Sequence, residues 1–456
     1  MSERSAGPAR GAAYAALLAT ERGATASDAL NRCLTGITDP RERGLATELC
    51  YGVVRWQRAL DAELARFVRR PQASLDASVR VALRLGLYQL RHLRSVPSFA
   101  AVDTAVTLVG GPGHRPGATG FVNAVLRAIA NAPVAEPQDV RLEDADALGE
   151  ANSHPAWLVR RYLQRLGPAE TVALLEANNR PSEVVLRANR IRQDGADLLH
   201  ALQVEGVDAR SGRWLPEAVI LRRASNPGRL AALRQGQATV QGEASMLAVV
   251  VLDPQPGDVC LDIAAGPGGK TTQMAECMGD RGRVIANDIG PGPLTLARQA
   301  CERLGLRSVE FRLGDARDLP DQWAGQCDRV LADVPCSGLG VLAGRPDLRW
   351  RKRAEDIPAL ARLQSELLDA AARCVRPGGT LVYSTCTTEP EENEQVVASF
   401  LDRHPDFTSF DLREVLPEAL REEPSVALGR LSLWPHRHGT EGFFIAGLRR
   451  LEPRRE

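Results

Sequence analysis

In the C-terminal half of this chain, short apolar runs alternate with helical stretches, and each run stops at glycine or a polar group. Val259-Cys260-Leu261-Asp262-Ile263 is followed by Gly266-Pro267-Gly268-Gly269, and Val284-Ile285-Ala286 ends at Asn287-Asp288. Val309 to Leu313 ends at Gly314-Asp315, and Asp328 to Ala332 runs into Asp333-Val334-Pro335-Cys336-Ser337-Gly338-Leu339-Gly340. Thr380 to Tyr383 ends at Ser384-Thr385-Cys386, and Phe443 to Gly447 reads as a last strand. Strands separated by helices require a parallel sheet crossed right-handedly. Such open sheets carry their chemistry at the carboxyl ends of the strands. The expected fold class over residues 236–450 is therefore α/β, a doubly wound, Rossmann-like sheet.

The rest of the chain follows other periods. From about Ala9 to Ala132, Leu17-Leu18, Leu30, Leu34, Leu45, Leu49, Leu60, Leu64 and Phe67 recur at helical spacing with no strand-like alternation. This predicts an all-α bundle over residues 1–135. A glycine-proline loop is expected at 110–117, and a Pro/Ala/acid-rich linker at 131–146. Residues 150–235 mix helical stretches with the strand candidates Glu183–Arg187 and Ala218–Leu221, a small α+β module without a set of residues that suggests chemistry. A chain of 456 residues exceeds one core, so several domains are expected.

Composition excludes more than it selects. No apolar run is long enough to span a bilayer and no signal segment opens the chain, which points to the cytoplasm. Nine dispersed cysteines without a CxxC argue for reduced thiols and no metal site. The formal net charge is zero, so any nucleic-acid surface must be local. Arg55, Arg58, Arg66, Arg69, Arg70, Arg80, Arg84, Arg91 and Arg94 crowd the helical region. They read as a solvated helix face, with a phosphate-contacting face as the alternative. Lysine occurs only at Lys270 and Lys352.

The turn Ala264-Ala265-Gly266-Pro267-Gly268-Gly269-Lys270 lets backbone approach a ligand at a helix N-terminus. It fits neither G-x-G-x-x-G nor the phosphate loop G-x-x-x-x-G-K-[ST]. Asp288 closes the second strand, where an acid usually binds a ribose diol, and Asp315 closes the third, where it can accept from an adenine amine. Together they describe an adenosine ligand without a phosphate clamp, and S-adenosylmethionine fits. Singly, each aspartate could equally be a helix cap or a turn residue.

Cys336 follows the fourth strand and Cys386 ends the fifth. Neighbouring strands would bring both thiols to one cleft beside the glycine turn, with Asp333 between them and the cofactor. Methylation at C5 of cytosine needs a thiolate to add at C6, a carboxyl group to support N3 and a base to remove the C5 proton. These three residues supply the parts, and the chemistry leaves either cysteine free to be the nucleophile.

Leu261 to Thr271, Asp333 to Gly338 and Ser384-Thr385-Cys386-Thr387 resemble the motifs of the RNA 5-methylcytosine methyltransferases. Val240-Gln241-Gly242-Glu243-Ala244-Ser245 and Gly442-Phe443-Phe444 resemble further segments of that family. Tyr51-Gly52-Val53-Val54-Arg55-Trp56, Arg84 to Leu90 and Phe121 to Arg127 resemble the RNA-binding fold of the antitermination factor NusB. The pairing is similar to bacterial 16S rRNA cytosine-5 methyltransferases. The resemblance implies that Cys386 attacks and Cys336 assists product release. It further implies that Asp333 holds the cytosine near the methyl donor, while Ala264 to Lys270, Asp288 and Asp315 bind S-adenosylmethionine. The family usually carries Cys and Ala where this chain has Ala264 and Gly266. Arg345 to Arg353, with Trp350, resembles a family loop and suits RNA backbone and bases, or is a solvated basic loop. The implied partner of a monomeric enzyme is 16S rRNA, naked or in an early small-subunit intermediate. A tRNA substrate, a DNA methyltransferase and a non-catalytic RNA-binding factor are the competing readings.

Overall fold

The computed structural model describes residues 6–110, 115–133, 141–222 and 227–453. The middles of the loop expected at 110–117 and of the linker expected at 131–146 lie outside them. The chain divides into two compact units, Met1–Arg180 with Leu342–Arg351, and Pro181–Val341 with Lys352–Glu456.

The first unit is helical. Thr25, Asp39 and Asp76 cap the helices Ala26–Cys33, Pro40–Arg55 and Ala77–His92 by accepting backbone N–H bonds. Leu49, Val53, Leu83, Leu87, Val122 and Leu126 meet in one core. Gly86 is a point of close approach, since a Cβ there would overlap the Leu126 side chain.

Five of the nine arginines that suggested a solvated face, Arg55, Arg58, Arg80, Arg84 and Arg91, are not part of one. Arg84 is buried and reaches Asp61 with two bonds of 2.7 Å and Glu21 with one of 2.6 Å. Arg80 also pairs with Glu21, Arg91 with Glu63 and Arg58 with Asp146. Buried Arg55 donates to the Ala343 carbonyl at 2.9 Å. Acids on neighbouring helices match the guanidinium fork and draw these side chains inward. Arg66, Arg69, Arg70 and Arg94 remain exposed.

In the basic loop 345–353, expected to face RNA or solvent, two residues turn inward instead. Arg349 is fully buried, and Trp350 packs against the helical core. The last carbonyls of an α-helix lack intrahelical partners. Here Trp350 Nε1 donates to Val54 O at 2.7 Å, and Arg349 reaches Arg55 O at 3.4 Å. Arg349 also donates to Ser153 O, Asn178 O and Asn179 Oδ1 at 2.8–3.1 Å. Burial without a carboxylate partner pulls its guanidinium down to about 9. Arg345, Arg351 and Arg353 are exposed.

The strands lie in the second unit: β1 (Val184–Ala188), β2 (Ala209–Ser211), β3 (Ala218–Leu221), β4 (Ala238–Val240), β5 (Val259–Asp262) and β6 (Arg283–Asp288). They continue with β7 (Val309–Leu313), β8 (Cys327–Asp333), β9 (Val375–Thr385), β10 (Phe407–Ser409), β11 (Arg430–Leu433) and β12 (Phe443–Arg450). β2-β3-β1-β4 form a small antiparallel sheet. The large sheet runs β10-β12-β9-β8-β5-β6-β7, with β11 on β12. β9-β8-β5-β6-β7 are parallel, and β12 is antiparallel to β9.

Alternation along the strands buries both faces. Cys260, Val284, Leu331, Val382 and Ile445 pack in one core with the helices Glu243–Leu252 and Gly269–Cys277. Leu261, Ile285, Val330, Leu381 and Tyr383 pack in another with Asp356–Cys374 and Glu394–Arg403. This is the doubly wound arrangement. β9 begins at Val375, so Pro377-Gly378-Gly379 lies inside the strand's span instead of between helix and strand. The ladder with β8 shifts register at Cys327/Arg329 to accommodate it.

Candidate active site

β5 sits between β6 and β8, where the strand order reverses, and the glycine turn leaves its carboxyl end. Gly266 and Gly268 have φ of 54° and 91°, values that L side chains rarely adopt. A Cβ on Gly268 would stand 2.8 Å from Ala297 Cα, whereas one on Gly266 would meet nothing nearer than 3.9 Å. The turn is therefore packed behind at Gly268 and open at Gly266.

The strand-end acids gather round this turn. Asp288 accepts from Gly266 N at 2.9 Å and from Gly290 N at 2.7 Å. Asp315 caps the turn Ala316–Asp318, and the Arg317 guanidinium and backbone N–H hold its carboxyl below the usual range. Each oxygen has two lone pairs, so capping leaves acceptor capacity for a ligand. Sequence reasoning missed Asp262 at the end of β5. Thr271 Oγ1 donates to its Oδ2 at 2.7 Å, while Oδ1 is buried without a partner. Burial pushes this carboxyl up to about 7. Its place in an apolar strand hid it.

Asp333 and Ser384 are paired across β8 and β9, and Ser384 Oγ donates to Asp333 Oδ1 at 2.7 Å. Lys270, from the glycine turn, donates to Asp333 Oδ2 at 2.7 Å and lies over the Phe443 ring. One of the chain's two lysines thus ties the turn to the acid. Cys336 Sγ and Cys386 Sγ stand 3.2 Å apart. The neighbouring Cys386 thiol, then burial, push the Cys336 thiol up. Gly340 N donates to Cys386 O at 3.0 Å and Gly442 N to Gly340 O at 2.8 Å, clamping the two cysteine loops together. A Cβ on Gly340 would overlap the Gly442 carbonyl. All the residues singled out from sequence as catalytic or cofactor-binding thus fall on the carboxyl edge of β5, β6, β7, β8 and β9.

Two more residues missed from sequence support this edge. Buried Glu392 accepts from Ser337 N at 2.8 Å and from Gln364 Nε2 at 2.9 Å. Arg187 on β1 is fully buried and binds Glu276, Thr272, Gln241 and the Gly269 carbonyl. Arg187 was one residue of a strand candidate, and Glu392 lay in a stretch to which no role was given.

Among the described residues, no cluster of His, Cys, Asp and Glu could hold a metal ion, and no helix is long and apolar enough to cross a membrane.

Residues 249–449 match the model of the 16S rRNA methyltransferase RsmB/F family, 8–131 the NusB family, and 154–226 the ferredoxin-like domain of RsmF/B-like methyltransferases. The probable ribosomal RNA small subunit methyltransferase B of Bacillus subtilis is 37% identical over 90% of this chain and 91% of its own. The Escherichia coli ribosomal RNA small subunit methyltransferase B is 35% identical over 96% and 97%. One solved structure superposes with a TM-score of 0.83 at 28% identity, over 98% of this chain and 99% of that one. NSun6 of Pyrococcus horikoshii, solved with SFG, gives 0.59 at 25% identity over 66% and 99%. Likeness to the two curated relatives over nine-tenths or more of both chains, together with the methyltransferase and NusB matches, places the protein in the 16S rRNA methyltransferase RsmB/F family.

Proposed function

We propose that the protein methylates C5 of one cytosine in 16S rRNA, using S-adenosylmethionine and a covalent Cys–C6 adduct. The observation that carries this reading is the pair of thiols, Cys336 and Cys386, 3.2 Å apart beside an aspartate held by Lys270 and Ser384. One thiol alone would suffice for addition; a second, within reach of the same carbon pair, suits removal of the C5 proton.

The turn Ala264–Lys270 with Asp288 and Asp315 holds the cofactor. The open face at Gly266, with Asp288 and Asp315 beside it, fits a ligand with a ribose. When bound, S-adenosylmethionine supplies an electrophilic methyl group. Asp333 positions the base through its N3 edge. Cys386, as thiolate, adds to C6 and makes C5 nucleophilic. After methyl transfer Cys336 takes the C5 proton, C5=C6 re-forms, and Cys386 leaves as thiolate. The assignment of attack to Cys386 rests on family likeness, because the thiols are geometrically equivalent partners.

We take residues 1–135 as the RNA-binding region, 150–235 as the connecting module and 236–450 as the methyltransferase domain, working as a cytoplasmic monomer on naked rRNA or an early small-subunit intermediate. Cys386→Ala should abolish methyl transfer to 16S rRNA, and Cys336→Ala should accumulate an RNA-linked protein band that survives denaturation. A fully active Cys386→Ala enzyme would refute the mechanism. Bisulfite sequencing of rRNA from a deletion strain identifies the target cytosine.

A further inference from the structure

The helix Glu394–Arg403 opens on Asn393, a residue type that ordinarily caps a helix by accepting an N–H of the first turn. Asn393 makes no such bond with its side chain. A cap of this kind is typically worth about 1 kcal/mol. The contacts that Asn393 makes instead must outweigh it, and they lead to the cysteine loops.

Asn393 is buried, and its amide spans Cys386. Thr385 Oγ1 donates to Asn393 Oδ1 at 2.5 Å, and Asn393 Nδ2 donates to Thr387 O at 3.0 Å. The Thr387 carbonyl can only accept, which fixes the end of the amide that faces it. One side chain thus grips the residues on either side of Cys386, a task that needs a donor and an acceptor in one planar group. The preceding residue serves the other cysteine. Glu392 Oε2 accepts from Ser337 N at 2.8 Å and from Gln364 Nε2 at 2.9 Å, and Gln364 Nε2 in turn donates to Pro335 O at 3.0 Å. Ser337 and Thr387, which follow the two cysteines, join their hydroxyl groups at 2.7 Å. Tyr383 Oη donates to the Glu392 carbonyl at 2.5 Å and ties this piece of backbone to β9. Two consecutive residues therefore set the two cysteine loops against each other.

We propose that Asn393 is a positioning residue for Cys386, setting the line along which its sulfur approaches C6, an inference that rests on the C5-methylation reading above. Cys386 stands where β9 runs out into a loop, so the strand ladder alone does not fix its direction. The amide of Asn393 supplies the missing restraint from both sides of the residue. Addition to C6 depends steeply on that aim, since a misplacement of about 1 Å costs on the order of a hundredfold in rate. The helix gives up its cap, and the nucleophile gains a fixed direction.

The test uses the full chain, saturating 16S rRNA and S-adenosylmethionine labelled in the methyl group, in a single turnover. It is run on the Cys336→Ala background, where methylated adduct accumulates. Adding Asn393→Ala should slow formation of that adduct about a hundredfold, with the final amount per folded molecule and the affinity for S-adenosylmethionine unchanged. A loss of folded protein lowers the amount of adduct and leaves its rate constant alone, so the rate separates positioning from stability. Thr385→Val removes the hydroxyl that Asn393 accepts from at nearly the same shape. It should also slow adduct formation, and the two changes together should be no slower than Asn393→Ala alone; effects that multiply overturn a shared clamp. A folded Asn393→Ala enzyme that forms adduct at the parent rate, or loses only its amount, overturns the role. Should Asn393→Ala fail to fold, Thr385→Val decides: slower adduct formation supports the role, and the parent rate overturns it. If Cys336→Ala itself traps no adduct, the C5 reading fails; if it traps adduct and Asn393→Ala does not slow it, only the role of Asn393 fails.

Discussion

Arg187→Met tests whether the small α+β module is part of the cofactor turn. Arg187 and Glu276 are both fully buried, joined by bonds of 2.8 and 3.1 Å. Arg187 also donates to Gly269 O at 2.8 Å, to Thr272 Oγ1 at 3.0 Å and to Gln241 Oε1. Removing the arginine alone strands a buried carboxylate, which typically costs about 3–5 kcal/mol; a value of about 4 corresponds to roughly a thousandfold in the folding equilibrium. Replacing both partners with apolar residues of similar size removes the stranded charge. Arg187→Met/Glu276→Leu should therefore fold within about 1 kcal/mol of wild type, a coupling of at least about 3 kcal/mol with the single changes. Urea unfolding followed by circular dichroism measures all four states. Binding of S-adenosylmethionine, by calorimetry, separates packing from positioning. The double variant regains stability but lacks the guanidinium bond to Gly269 O, leaving that carbonyl to Thr272 Oγ1, so its affinity should stay about tenfold down, the loss of one hydrogen bond to a charged group. A single variant that unfolds at the wild-type urea concentration refutes the energetic argument. A double variant that binds cofactor normally refutes the positioning one.

Three further outcomes follow from the geometry. Asp262, raised from 3.8 to about 7, binds more protons folded than unfolded between those values. Its contribution to stability is therefore largest below about pH 4 and declines as pH rises towards 7; the difference in melting temperature between wild type and Asp262→Asn should follow that slope, and a pH-independent difference would contradict it. Gly340→Ala places a methyl group against the Gly442 carbonyl and must part the two cysteine loops; we expect methyl transfer to fall at least about tenfold with a loss of about 1–3 kcal/mol in urea unfolding. Arg349→Met leaves the Ser153 and Asn178 carbonyls without their guanidinium donor, costing about 2–4 kcal/mol; Arg349→Lys should not restore it in the same thermal melts, because an ammonium cannot span the same acceptors.

The parts legible in the sequence were those governed by local rules. Strands β5 to β9 could be placed because each apolar run is bounded by a turn signal. Asp288, Asp315, Asp333, Cys336 and Cys386 could be assembled because parallel topology sends every strand end to one edge. Asp288 and Asp315 proved to be turn-capping residues as well as candidates for binding, so the two readings of a strand-end aspartate are not exclusive. The residues that escaped are buried charges whose partners lie far along the chain. Arg187 meets Glu276 across 89 residues, and Glu392 meets Ser337 across 55. Trp350 finds the Val54 carbonyl across 296, so two residues of a segment with the composition of an RNA-facing loop serve to cap a helix end. Composition records that a charge or an indole is present; whether it faces solvent depends on whether some distant group supplies the missing half of a hydrogen bond. In this protein the site's supports are of that second kind: Arg187 under the glycine turn and Glu392 under the Cys336 loop are each defined by a pairing that no local pattern encodes. The chemistry of the edge could therefore be read residue by residue, while the means of holding it in place could be read only from the fold.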